Sequence, residues 1–118
     1  MADFVHVARL GEIPPGRMLA VRLEGEDVVL YNVEGAIHAS RDFCPHAGYA
    51  LSKSMFCGKY VRCSLHSWEF DVTSGSYSGN PNIRLKRYPV KVEGEEVWVK
   101  LEPVAPPPMQ APPSRDDA

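Results

Sequence analysis

Two short segments of this chain combine cysteine with histidine, residue types that bind transition metals. The first is Cys44-Pro45-His46, and the second, after sixteen intervening residues, is Cys63-Ser64-Leu65-His66. Each segment supplies one thiolate and one imidazole within a short turn, so the two turns together can form a pocket with two sulfur and two nitrogen ligands. Zinc accepts this ligand set, and iron–sulfur clusters accept the thiolates.

The order of the ligands favours a cluster over zinc. Common zinc patterns keep like ligands together, cysteine with cysteine and histidine with histidine, whereas each half of this motif mixes them. A cluster of two irons accounts for the mixture if one iron takes both cysteines and the other takes both histidines, as in a Rieske centre. We therefore predict one [2Fe–2S] cluster of Rieske type, bound by Cys44, His46, Cys63 and His66.

Residues 44–66 resemble the cluster-binding segment of Rieske-type ferredoxins, and the resemblance covers about residues 4–101. Gly48, the run Trp68-Glu69-Phe70-Asp71 and Gly75 also resemble that family. The ending 88–99 is particularly similar to the ferredoxin components of bacterial aromatic ring-hydroxylating dioxygenase systems. The resemblance implies an all-β fold, a Rieske-type antiparallel β-sandwich with the two cluster-binding loops at one tip.

The same resemblance implies an electron carrier rather than an enzyme. Its expected partners are an NAD(P)H-dependent flavoprotein ferredoxin reductase, which donates electrons, and a terminal oxygenase, which accepts them. All four ligand positions are filled by protein, and only His6 and His38 remain for any second metal site. Two alternatives stay open: a Rieske-like small subunit of an assimilatory nitrite reductase, and a zinc-binding interaction module.

Two departures from the respiratory members of the family predict a low reduction potential. Those proteins carry hydroxyl donors to the cluster sulfurs two and four residues after the second histidine, where this chain has Trp68 and Phe70. They also join their two loops by a disulfide, whereas the matching positions here are Tyr49 and Leu65. Histidine ligation raises the potential above that of an all-cysteine cluster, but without the hydroxyls we expect a value near the bottom of the Rieske range, roughly −150 mV.

Composition restricts the possible partners and compartment. The net charge is −2 in 118 residues, which argues against nucleic acid and anionic membranes as ligands. No apolar run approaches the ~20 residues of a membrane span, and the first residues do not resemble a signal peptide. Cys57 has no obvious partner, which fits a reducing compartment. We expect a cytoplasmic monomer.

Short alternating segments separated by turn residues predict an all-β domain over residues 1–102. The predicted strands are 4–8, 17–23, 27–33, 36–39, 59–62, 68–72 and a hairpin of 87–92 with 95–101. Pro89 predicts a strand that lies at an edge or begins there. Six of the eleven prolines fall in residues 103–118, so we interpret this segment as a disordered tail.

The remaining candidate residues have plainer interpretations. We interpret His6 and His38 as ordinary strand residues and Cys57 as a small apolar filler near a cluster loop. Trp68 is expected to pack in the core beneath the second loop, and Tyr49 to pack or to shield the cluster.

Two further segments near the motif are of interest. The resemblance implies that Gly79-Asn80-Pro81 covers the cluster as a proline-bearing loop. Arg41 and Asp42 are expected to be an exposed pair, open to a part in partner docking.

Overall fold

The computed structural model describes residues 4–44, 50–63 and 68–101. His46, Tyr49, Leu65, His66 and the predicted tail 103–118 lie outside the described residues. Within them the chain forms twelve strands and two short 3₁₀ turns, Leu10–Glu12 and Leu51–Lys53. The strands are β1 (Phe4–Arg9), β2 (Met18–Leu23), β3 (Glu26–Val33), β4 (Ala36–Arg41), β5 (Met55–Cys57), β6 (Tyr60–Arg62), β7 (Glu69–Asp71), β8 (Ser76–Tyr77), β9 (Asn80–Arg84), β10 (Arg87–Tyr88), β11 (Val90–Glu93) and β12 (Glu96–Lys100).

The strands pair into three antiparallel sheets. Their orders are β1-β12-β11, β10-β4-β3-β2 and β5-β6-β7-β8-β9. The all-β antiparallel fold predicted from the sequence is therefore confirmed. None of the described residues belongs to a helix with the length and apolar composition needed to cross a membrane.

Strand β3 forms the centre of the molecule because both of its faces are buried. Val28 and Leu30 point into one core cluster with residues of the three-stranded sheet, such as Val97 and Val99. Val29 and Tyr31 point to the opposite side, into a second cluster with residues of the five-stranded sheet. A strand covered on both faces has a nearly continuous apolar sequence, which explains the run from Val28 to Tyr31.

Turn chemistry sets the connections of the central sheet. Glu24 and Gly25 join β2 to β3 with φ values of 51° and 84°, as a tight two-residue hairpin turn requires. Pro89 lies between β10 and β11, which are edge strands of two different sheets. Proline lacks the N–H that would continue a ladder, so the predicted edge position is confirmed and the chain changes sheets there.

The region after the first loop contains one strand that was not predicted, and two expectations for this region were wrong. Residues 55–57 form a strand, β5, that the sequence did not predict. Cys57 is not an apolar filler, because it is exposed at the end of β5. Of the segment Gly79-Asn80-Pro81, which was expected to be a loop, only Gly79 lies in a turn, and β9 begins at Asn80 at the edge of its sheet.

Candidate metal centre

The two predicted cysteine ligands meet in one buried cluster. Cys44 comes soon after β4 and Cys63 directly after β6, so different sheets deliver them. Both side chains are fully buried, and neither cysteine forms a disulfide. They share a core cluster with Tyr31 and Phe70. The structure therefore brings the two sulfur ligands together, while the positions of His46 and His66 lie outside the described residues.

The base of the first loop is closed by a carboxylate. Asp42 accepts hydrogen bonds from the Ser52 backbone N–H at 2.7 Å and from the Ser52 hydroxyl at 2.6 Å. The Asp42 N–H in turn donates to the Asp27 carbonyl at 2.9 Å. Residues on both sides of the segment 45–49 are thus tied to each other and to the central sheet.

Asp42 was wrongly expected to form an exposed pair with its neighbour. It is half-buried, and Arg41 places its guanidinium 4.6 Å from the centre of the Phe43 ring instead. The Asp42–Ser52 contact carries no local sequence signal, because ten residues separate the partners. Only the closure of the loop makes them neighbours.

The base of the second loop is closed by the backbone. The Cys63 N–H donates to the Trp68 carbonyl at 2.7 Å. Directly outside this bond, Arg62 pairs with Glu69 in the β6–β7 ladder, and their side chains lie 3.5 Å apart. The hairpin therefore fixes the two residues that flank the segment 64–67.

Aromatic packing supports the second loop from the five-stranded sheet. Trp68 stacks on Tyr77 with ring centroids 4.0 Å apart and an interplanar angle of 8°, and Phe70 lies 5.6 Å from Tyr77 at a tilt. A Cβ on Gly79 would lie 2.8 Å from the Tyr77 ring, so the glycine makes room for this stack. The predicted core packing of Trp68 is confirmed. Whether Pro81 covers the cluster stays a prediction.

A phenol that the sequence did not single out lies in the same cluster as the cysteines. The Tyr31 hydroxyl is 2.8 Å from Ser40 Oγ, and Ser40 Oγ is 3.1 Å from the Arg41 carbonyl. Since a carbonyl can only accept, Ser40 donates to it and Tyr31 donates to Ser40. Burial is the main cause that raises the pKa of Tyr31 above its usual range, so this side chain remains a neutral phenol.

The two other histidines are strand residues, as predicted. His6 lies in β1, where its Nε2 is 2.5 Å from Glu96 Oε1 and its ring meets Trp98 edge-on at 5.3 Å. His38 is half-buried in β4. Burial, helped by the charge of Arg87 and opposed by Asp71, lowers the pKa of His38 below 6.5.

The described half of the ligand set suits the predicted cofactor. Iron–sulfur clusters are held by thiolates, and two cysteines from separate sheets belong to one buried cluster here. Among residues 4–44, 50–63 and 68–101, no three metal-binding side chains come together. Only two of the four predicted ligands fall in that part of the chain.

Comparison with known proteins identifies the family. The model of the Rieske [2Fe-2S] domain matches residues 3–89. The ferredoxin component of the naphthalene 1,2-dioxygenase/salicylate 5-hydroxylase systems of Ralstonia sp is 35% identical over 85% of this chain and 97% of its own length. The biphenyl dioxygenase ferredoxin subunit of Pseudomonas sp. (strain KKS102) is also 35% identical, over 86% of this chain and 95% of its own.

Solved structures agree with this assignment. A complex of reduced oxygenase and oxidized ferredoxin in carbazole 1,9a-dioxygenase contains a chain with a TM-score of 0.79 and 26% identity, covering 86% of this chain and 96% of that one. A putative nitrite reductase small subunit has a TM-score of 0.71 at 24% identity, covering 82% of this chain and 97% of its own length, and this likeness shows the fold alone. The cofactor implied by the family is a Rieske-type [2Fe–2S] cluster rather than zinc. The chain therefore belongs to the Rieske [2Fe-2S] family, among relatives that are electron-transfer ferredoxins and not catalytic enzymes.

Proposed function

We propose that this chain carries single electrons from an NAD(P)H-dependent flavoprotein reductase to a terminal ring-hydroxylating oxygenase. The observation that carries the proposal is the burial of two cysteines, Cys44 and Cys63, in one cluster at the starts of two closed loops. The names of the relatives, ferredoxin components of dioxygenase systems, support the oxygenase as a partner, and the reductase is implied by the family resemblance. A solved complex of a similar ferredoxin with its oxygenase supports the choice of acceptor.

We assign the cluster to Cys44 and Cys63 on one iron and to His46 and His66 on the other. When bound, such a cluster supplies a reversible one-electron couple. The residues of this chain exclude water from both thiols, since neither is exposed. The contacts of Asp42 with Ser52 and of Cys63 with Trp68 hold the ends of the two ligand segments.

The potential should be low because the two positions that carry hydroxyl donors in the respiratory members, and the buried Tyr31, offer no hydroxyl proton to the sulfurs. Trp68 and Phe70 carry no hydroxyl, and the Tyr31 proton is directed to Ser40. A hydrogen bond to a cluster sulfur stabilises the reduced, more negative state, so its absence favours the oxidised state and a potential of roughly −150 mV. A carrier at that level can accept electrons from a reduced flavin and is a weak oxidant of quinols.

We further propose a cytoplasmic monomer with a Rieske domain at 1–102 and a proline-rich tail at 103–118. The exposed free thiol of Cys57 supports a reducing compartment, because such thiols tend to be oxidised elsewhere. Size-exclusion chromatography of the purified protein under reducing conditions tests the monomer.

Metal analysis and spectroscopy test the ligand assignment. We expect two irons and two acid-labile sulfides per chain and a Rieske-type EPR signal in the reduced protein. Cys44→Ser and Cys63→Ser should abolish the signal, whereas Cys57→Ser is the matched control and should retain it. Stoichiometric zinc without sulfide in anaerobically purified protein would contradict the assignment.

Reconstitution tests the carrier function. A flavoprotein reductase and a terminal oxygenase of a dioxygenase system should form hydroxylated product from NADH only when this protein is added. Protein-film voltammetry gives the potential, and a midpoint above about +100 mV, which is still within the Rieske span, would rule out the low-potential assignment.

A further inference from the structure

A basic surface with an aromatic centre lies beside the first cysteine ligand. Arg41, Phe43, Arg84 and Lys86 line a shallow hollow of about 270 Å³; we call these four residues the basic surface. Phe43 directly precedes Cys44, yet its side chain is 40% exposed while Cys44 is fully buried. The surface is therefore next to the predicted electron-transfer centre and accessible to a partner.

The three cations of the basic surface, Arg41, Arg84 and Lys86, form no ion pair within the part of the chain that the structure describes. By contrast, five other cations do have carboxylate partners: Arg9, Arg22, Lys59, Arg62 and Lys91. Because the whole chain has a net charge of −2, this surface is a local reversal of sign, and such patches attract opposite charge.

The backbone and side chains hold the basic surface in place. The Arg41 N–H donates to the Lys86 carbonyl at 2.8 Å, which ties β4 to the segment after β9. The Arg41 guanidinium lies over the Phe43 ring at 4.6 Å, and Arg84 Nη1 donates to the Ser74 carbonyl at 3.3 Å. A preorganised surface loses less conformational entropy on binding than a flexible one.

Charge changes sign next to the basic surface. A second hollow of about 190 Å³ shares Arg41 and Phe43 with the first and is also lined by Glu26, Asp27 and Asp42. A partner with carboxylates opposite Arg84 and Lys86 would be attracted in one orientation and repelled in the reversed one. Complementary charges of this kind fix orientation and raise the association rate more than the affinity.

We propose that the basic surface docks a carboxylate-rich face of a protein that exchanges electrons with this chain, with Phe43 as its apolar centre. The proposal rests on the proposed carrier function and specifies the surface chemistry of its partner. An aromatic side chain exposed among cations suits a protein face, which can cover the ring, better than a free inorganic anion. The net negative charge of the chain disfavours nucleic acid.

Electron-transfer kinetics with both protein partners test the proposal. Arg84→Glu/Lys86→Glu should slow the second-order electron transfer with at least one partner by about tenfold at low ionic strength, and the difference should vanish near 1 M salt. The matched control, Arg9→Glu/Lys91→Glu, makes the same change in net charge on the three-stranded sheet and should have little effect. Phe43→Ala should weaken binding equally at low and high salt, because its contribution is apolar.

Oxidation by a small anion distinguishes the electrostatic attraction of the basic surface from the docking of a protein partner. Oxidation of the reduced protein by ferricyanide should slow several-fold in the double reversal and not in the control. If the ferricyanide rate falls but both protein partners react at the wild-type rate, the surface is charged but is not the docking site. The same rates for the wild-type protein and the reversal with all three reagents would also overturn the proposal.

These outcomes are distinct from failure of the carrier function itself. In that case the wild-type protein would pass no electrons between reductase and oxygenase. Lys86→Glu alone, at an exposed position, keeps the test valid if the double variant folds poorly. It should produce a smaller decrease of the same salt dependence.

Discussion

The turn after β7 depends on a glycine for two separable reasons, which a pair of substitutions can resolve. Gly75 has φ of +84°, and an added Cβ would lie 2.8 Å from Arg87 Cδ and 3.2 Å from the Leu85 carbonyl oxygen. Gly25 has the same φ of +84° but no atom within 4 Å of the added Cβ. Gly25→Ala therefore measures the backbone cost alone, and Gly75→Ala measures the backbone cost together with the collision.

The two contributions have different expected sizes. Placing an L-residue in the left-handed region costs about 1–2 kcal/mol, which both variants share. Overpacking a filled site costs a further ~1–3 kcal/mol, and one contact of Gly75 is a backbone carbonyl that cannot rotate away. We expect the free energy of unfolding to be lower in Gly75→Ala than in Gly25→Ala by about 1–3 kcal/mol, or roughly 5–15 °C in Tm for a domain of this size.

Thermal unfolding followed by far-UV circular dichroism at one scan rate measures the difference. Arg87→Ala removes the closest contact of the added Cβ. Gly75→Ala should therefore lower the melting temperature less in the Arg87→Ala protein than in the wild-type protein. The Gly75 N–H donates to the Asp71 carbonyl at 2.6 Å, and the Leu85 N–H donates to the Gly75 carbonyl at 2.8 Å. The collision therefore also disturbs the strand that follows the second loop. Equal melting temperatures for the two alanine variants would refute the reasoning.

Three other changes have predicted outcomes. His46→Cys and His66→Cys, if the cluster survives, should each lower the potential measured by voltammetry, because a negative thiolate replaces a neutral imidazole; an unchanged potential in an intact double variant would contradict this. Asp42→Ala should speed the bleaching of cluster absorbance, since two hydrogen bonds to a carboxylate, each contributing about 1.5–3 kcal/mol, are lost. Ser52→Ala keeps the backbone bond and should have a smaller effect, so a larger one would argue against the loop-closing role. His38 has a folded pKa below its unfolded value of 6.5, through burial and then a nearby guanidinium. The contribution of neutral His38 to the free energy of unfolding is therefore present above pH 6.5 and lost as the pH falls through the folded pKa. The free energy of unfolding from chemical denaturation should depend less on pH in His38→Gln than in the wild-type protein between about pH 7.5 and 5.

Periodicity predicted the elements whose burial has a simple pattern. In β12, Val97 and Val99 are fully buried and alternate with less buried residues. In β2, Leu19, Val21 and Leu23 pack on the core while Ala20 and Arg22 are exposed. Each of these strands has one covered face, so period-two alternation in the sequence directly reports the sheet surface.

Two of the short strands, β5 and β8, could not be predicted in this way. They are too short to display a period, and β8 is bounded by glycine, serine and asparagine residues that usually indicate turns. These strands exist because neighbours complete their ladders: β5 pairs with β6, and β8 lies between β7 and β9 in the five-stranded sheet. Cys57 is the last residue of β5, one of these unpredicted strands, and is exposed there. Residue type alone therefore predicted the wrong environment for it.

For the metal site too, the ligand residues were predictable from the sequence, but their surroundings in the fold were not. Side-chain type and spacing were enough to nominate Cys44 and Cys63 as ligands, but not to predict that both belong to the core cluster of Tyr31 and Phe70. A buried cysteine packs as a small apolar side chain, so each sulfur serves the core as well as the predicted metal site. Metal binding and folding are then coupled: a bound cluster would stabilise the packing around β3, and that packing would hold the two thiols close together before any metal binds. A serine at either position would lose a ligand and place a hydroxyl in the core, which makes the exposed Cys57 the appropriate reference for the effect of the substitution itself.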